Sequence, residues 1–239
     1  GRPMAGSTVK SAYYRGIANG APFIVVLVPF AMLFGVLATE AGLPVLVTMG
    51  FSTFVIAGAA QFAALQLMID NAPVAVVLAT ALAVNLRMAM YSAALVPHLG
   101  AAPLWQRLLG SYLNFDQSYA TSIAEYEARG GMSVAEKVAY FLGVASPLAP
   151  CWYAFTFVGA ALGTTLPDWL AIDFAVPITF LAVLSPMLKS PAHIAAAVVS
   201  VGVALSLSWM PAGSGLLLSA AAAMAAGAAV EIWTERLTA

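Results

Sequence analysis

Charge is what this chain has least of. Of its 239 residues only 8% are charged, nine basic and ten acidic, against about 25% in a typical soluble domain. With 62% hydrophobic residues, so short a chain cannot hide its apolar surface inside a water-soluble globule, and the exposed remainder must face lipid. Nine cations are too few for a basic stripe, which excludes nucleic acid as a partner. Cys151 is the only cysteine and has no second thiol for a disulfide or metal site. The two histidines, His98 and His193, stand near the ends of apolar stretches, and neither GxSxG nor HExxH occurs. An intramembrane enzyme therefore has no sequence support, and no cofactor or metal is expected. A filter sequence or a run of pore-lining charges is missing too, which argues against a channel.

What is present is a series of apolar stretches, measured against the ~20 residues needed to cross a bilayer. Seven are clear: Gly16 to Ala38, Leu46 to Ile69, Pro73 to Pro97, Val138 to Leu162, Trp169 to Leu188, Pro191 to Met210 and Gly215 to Trp233. An eighth, Leu108 to Ile123, is short and carries Asn114, Asp116 and Gln117, so it is read as a buried span or a re-entrant one. Gly1, Arg2 and Pro3 precede Met4 and read as a cloning remnant, and the first apolar stretch reads as a retained helix rather than a cleaved signal. Lys10, Arg15, Arg129, Lys137, Lys189 and Arg236 fall on one side if there are eight spans, with only Arg107 dissenting. The expectation is an all-α, multi-pass membrane protein of seven or eight transmembrane helices, preferably eight, with both termini cytoplasmic. It divides into a cytoplasmic segment 1–15, a first membrane half 16–125, a connecting loop 126–137 and a second half 138–239.

Phe34, Leu43, Pro44 and Phe51 recur as Phe157, Leu166, Pro167 and Phe174 at a constant offset of 123, which suggests an internal two-fold repeat of the kind common in secondary transporters. Pro22, Pro29 and Gly35 in the first stretch, and Gly143, Pro147, Pro150 and Gly159 in the fifth, point to interrupted helices in both halves. Proline frees backbone carbonyls, and a cavity beside them can become a binding site, although simple kinking is the competing reading. The last stretch carries Ser219, Ala223 and Gly227 at four-residue spacing, a stripe suited to internal packing or to a subunit interface, so a homo-oligomer stays open.

A few residues do not belong in hydrocarbon. Arg87 lies mid-span, where a lipid-facing arginine costs about 2.5–3.5 kcal/mol or more, so it must face protein. Its planar fork suits a substrate carboxylate or, equally, a salt bridge to Asp116 or Asp173. Tyr91 shares the face of Arg87 at i+4, whereas Asn85 is about 200° away and joins it only if the helix is broken. Asp116 and Asp173 are the carboxylates well inside apolar stretches, candidates for an ammonium ligand or a proton carrier. Gly58 and Gln61 lie at i and i+3 in the second stretch, where the bare glycine permits close approach of a substrate or of another helix.

The proline-bearing first helix from Pro22 to Gly35, AGAAQF at Ala57 to Phe62, NLRMAMYS at Asn85 to Ser92, NFDQSYA at Asn114 to Ala120 and DFAVPITFL at Asp173 to Leu181 together resemble the AzlC family, the large subunit of branched-chain amino acid exporters. The resemblance runs from about Arg15 to Leu188. It implies export of small hydrophobic amino acids across the bacterial inner membrane and a small membrane partner of the AzlD type. On this reading Arg87, Asn85, Tyr91, Gln61, Gly58, Pro22, Pro29 and Phe62 bind substrate, and Asp116 and Asp173 serve coupling or ammonium binding. Two departures are visible: Met88 stands where the family usually has a histidine, and Gln117 replaces the second member of an acidic pair.

Overall fold

The computed structural model describes residues 5–163, 188, 190–210 and 214–238. Every regular element among them is helical. In chain order these are α1 (Ala5–Gly20), a 3-10 turn (Ala21–Phe23), α2 (Ile24–Glu40), α3 (Val45–Phe54), α4 (Gly58–Ile69), α5 (Val74–Leu99), α6 (Leu104–Tyr112), α7 (Asp116–Ala128), α8 (Val134–Gly163), α9 (Pro191–Ser206) and α10 (Ser214–Thr238). Among the described residues four helical runs are long and apolar enough to cross a membrane: Thr8–Glu40, Val74–Leu99, Val134–Gly163 and Ser214–Thr234. On α5, Leu78, Leu82, Leu86 and Met90 recur every four residues and are all exposed. That spacing makes one continuous apolar stripe, the side a membrane helix turns to lipid.

The chain forms two compact units that do not follow its two halves. The first joins Gly1–Gln61 to Asn85–Leu166, and the second joins Phe62–Val84 to Pro167–Ala239. At the centre of the first unit, α1 and α2 run parallel to α8. A Cβ on Gly16 would strike the backbone of Tyr140 and Val144, and one on Gly143 would strike Tyr13. Farther along, Gly35 meets Thr156 and Ala160 in the same way, and Gly159 meets Met32. Backbone therefore lies on backbone at two levels, which only residues without side chains permit. Tyr13 to Ser146 (2.8 Å), Asn19 to Tyr140 (2.7 Å) and Thr39 to the Ala160 carbonyl (3.1 Å) add hydrogen bonds across the pair. In the second unit α9 packs on α10, with Gly227 of the small-residue stripe facing Ala192 and Ala196.

Of the two interruptions the prolines suggested, the one at Pro22 is present and the one in α8 is not. The first run tightens to a 3-10 turn over Ala21–Phe23 and carries Pro29 inside α2, while α8 is unbroken through Pro147 and Pro150. Packing along the glycine contacts holds α8 together where the prolines alone would kink it. The second stretch is the one that breaks. Ile56 adopts φ +43, a left-handed conformation that strains a β-branched residue. Continuing as one straight helix, Ser52 and Gln61 would stand about 13.5 Å apart along the axis, yet their side chains are hydrogen-bonded at 3.1 Å. The chain therefore doubles back at the break.

The fourth stretch also breaks, between α6 and α7. Arg107 near the start of α6 lines one cavity with Leu99 and Gly100, while Glu125 near the end of α7 pairs with Arg15 (3.2 Å) and Arg129 (2.9 Å). His98 meets Lys137 at 3.0 Å. Both ends of the α6–α7 hairpin thus lie at the end that carries Arg15, Arg129 and Lys137. The second stretch is thus broken, the fourth follows its re-entrant reading, and Arg107 lies at the same end as Arg15, Arg129 and Lys137. The expected loop 126–137 narrows to Arg129–Ser133, between the end of α7 and the start of α8. Of the expected repeat, Phe34 is buried and Phe157 is exposed, and the counterparts Leu166, Pro167 and Phe174 lie outside the described residues.

Candidate functional site

The two broken segments approach from opposite ends of the first unit. α3 follows α2 after a four-residue turn and runs back down its side: Phe51 packs on Phe34, and Gly58 abuts Phe30, one turn deeper, together with Trp152. α6 climbs from the basic end and stops at Tyr112, whose hydroxyl donates to the Thr53 carbonyl (2.7 Å) and meets the Tyr153 hydroxyl (2.6 Å). The tips of the two segments therefore touch. Non-helical backbone at membrane depth is tolerated only inside protein or against a water-filled cavity, and broken helices are where transporters bind their cargo.

Polar side chains converge on the α6–α7 tip. Arg87 stands thirteen residues from one end of α5 and twelve from the other, near the middle of the bilayer if the helix is centred in it. Its Nη1 pairs with Asp116 Oδ2 at 3.0 Å, with the two side chains 27% and 36% exposed. Tyr91 donates its hydroxyl to Asp116 Oδ1 (3.0 Å), and its ring stacks on Tyr119 with centroids 4.0 Å apart. Asn114 donates to Ser92 Oγ (3.1 Å), and the Ser118 hydroxyl ties the turn together by bonding the Leu113 and Phe115 carbonyls. Asp116 opens α7, where a helix N-terminus favours an anion. Two buried polar atoms here find no partner among the described residues: Arg87 Nε and Asn114 Oδ1. Each is a hydrogen-bonding capacity left for something else.

Of the residues singled out from sequence, Arg87, Tyr91 and Asp116 are brought together. α5 is unbroken, so Asn85 stays on a different face from Arg87. Gln61 is fully buried and spent on structure: its Oε1 accepts from the Ala57 N–H (3.2 Å) and its Nε2 donates to Ser52, which in turn meets Thr156 at 3.0 Å. A Cβ on Gly58 would collide with Phe30, so no space for a solute opens there. Pro22 and Pro29 lie seven residues apart on an exposed face. Phe62 is buried and belongs to the second unit. Asp173 lies outside the described residues. Sequence reasoning gave no site role to Asn114, Ser92 or Tyr119. The cluster of polar residues in the short fourth stretch was the available signal for the first, and the NLRMAMYS block contained the second.

A family described as AzlC protein matches this chain over residues 22–166. An "Uncharacterized membrane protein" of Archaeoglobus fulgidus is 30% identical over 212 residues, covering 84% of this chain and 87% of that relative. No solved structure matches.

Proposed function

Because the chain belongs to the AzlC family of membrane proteins, we propose that it is a secondary transporter that exports branched-chain, hydrophobic amino acids across the bacterial inner membrane. The observation that carries this reading is the Arg87–Asp116 ion pair at a broken-helix tip, with Arg87 Nε unpartnered among the described residues. An amino acid brings one carboxylate and one ammonium. Its carboxylate takes the guanidinium fork in place of Asp116, while Asp116, still held by Tyr91, receives the ammonium. The incoming molecule replaces one ion pair by two, so neither protein charge is stranded in low dielectric. Asp116 is also the group that would carry a proton if export is proton-coupled.

The AzlD-type subunit belongs to the same proposal and is an arm of its test. Leucine efflux and counterflow are measured in proteoliposomes holding wild type, Arg87→Lys or Arg87→Gln, each with and without the small subunit. Arg87→Lys should fold and transport poorly, because a point charge cannot hold a carboxylate in the two parallel hydrogen bonds of the fork. Wild-type rates in both variants would remove Arg87 from the site. Transport that needs the second subunit would make this chain the larger part of a two-component carrier.

A further inference from the structure

Between the ion pair and the basic end lies a second feature. The C-terminal turns of α5 and the facing side of α6 line a half-open pocket of about 230 Å³, walled by Leu95, Leu99, Ser111 and Arg107 and reaching Ser92 and Asn114 at its inner end. That is room for roughly seven waters at ~30 Å³ each, or for one aliphatic amino acid. Arg107 is the single charged residue on the lining and makes no ion pair among the described residues. Asn114 is only 6% exposed, and its Oδ1 accepts nothing among the described residues. The lining thus offers a cation and aliphatic walls for the carboxylate and side chain of one zwitterion, with an unpartnered acceptor for its ammonium buried just behind the inner end. Its inner end neighbours the central site along the chain: Asn114 is two residues from Asp116, and Ser92 follows Tyr91.

We propose that this cavity is a loading subsite for a zwitterionic aliphatic amino acid, filled from the basic side before the solute reaches Arg87 and Asp116, with Arg107 receiving the carboxylate. The proposal rests on the transport reading above. It adds a second binding position and a residue, Arg107, that governs access from one side only.

Its test uses the full chain in phosphatidylcholine vesicles, with Cys151→Ala so that Ser111→Cys is the sole thiol. A charged, impermeant maleimide is applied from the basic side with and without leucine, and leucine transport is measured in the same preparation. At ten times its Kd, leucine should slow labelling roughly tenfold by simple occupancy. Protection should persist in Arg87→Gln, disappear in Arg107→Gln and return partly in Arg107→Lys. Loss of protection in Arg87→Gln as well would mean a single central site and would overturn the subsite. So would a protein that transports leucine with no protection at Ser111→Cys. Protection by phosphatidylglycerol alone, unaffected by leucine, would make Arg107 a headgroup anchor and overturn the proposal equally. Absence of both transport and protection would take the functional reading down with it.

Discussion

Replacing Asp116 by asparagine should change what the protein prefers, and the structure sets the size of the change. The pair with Arg87 is 3.0 Å long. At an effective dielectric near 20, opposite charges about 4 Å apart attract by about 4 kcal/mol. Asp116 keeps 36% of its side chain exposed, so solvent screening reduces this to about 2 kcal/mol, or roughly 30-fold in affinity. If Asp116 receives the ammonium, Asp116→Asn removes that pair for leucine but also frees Arg87, so the two changes offset. For 4-methylpentanoate, which is leucine without its amino group, only the gain remains, and its affinity should rise by that factor. In wild type the deaminated acid would displace Asp116 from Arg87 and leave it unpaired, so leucine should win by a similar factor. Asparagine keeps the shape and can still accept from Tyr91, so the fold should survive. The assay is competition by either compound against radiolabelled leucine counterflow. An unchanged leucine to 4-methylpentanoate ratio in the variant would refute the assignment, whatever happens to the absolute rates.

Two further outcomes follow from the fold. Gly159→Ala drives a methyl group into the Met32 backbone, whereas Gly50→Ala points into open space. The first should cost about 1–3 kcal/mol as an overpacked contact and lower the melting temperature in detergent, while the second, inside α3, should raise it slightly, by up to about 1 kcal/mol of helix propensity. Single cysteines at Ala101 and Gly130 should label from one side of the membrane and a cysteine at Gly42 from the other; labelling of Ala101 from the side of Gly42 would mean that α6–α7 crosses the bilayer and is not a hairpin.

Apolar length announced the helices α5 and α8 within a few residues, because hydrophobic runs of that length have few alternatives. Arg87, Tyr91 and Asp116 could be picked out because each is expensive in lipid, but their meeting could not, since it depends on where the chain between α6 and α7 turns. The breaks were the least legible feature. Prolines marked α8, which stays whole because glycine contacts with α1 and α2 hold it. The real break at Ile56 has no proline and places a β-branched residue where such residues are rare. Its cause is tertiary: Gln61 accepts from the freed Ala57 N–H, and Ser52 and Thr156 hold the amide in place. Arg107 as a dissenter from the charge rule was, in retrospect, the sign that an intervening stretch does not cross.

The ion pair also bears on what energy source can act on the carrier. Moving one elementary charge through a membrane potential of 100 mV involves about 2.3 kcal/mol. Arg87 and Asp116 carry opposite unit charges 3.0 Å apart, so the empty site presents no net charge to the field, and a zwitterion added to it changes nothing in that sum. A cycle carrying only the amino acid is therefore electrically silent: the voltage neither drives the loaded step nor holds back the empty one. The direction of net flow is then set by the concentration of the solute on the two sides.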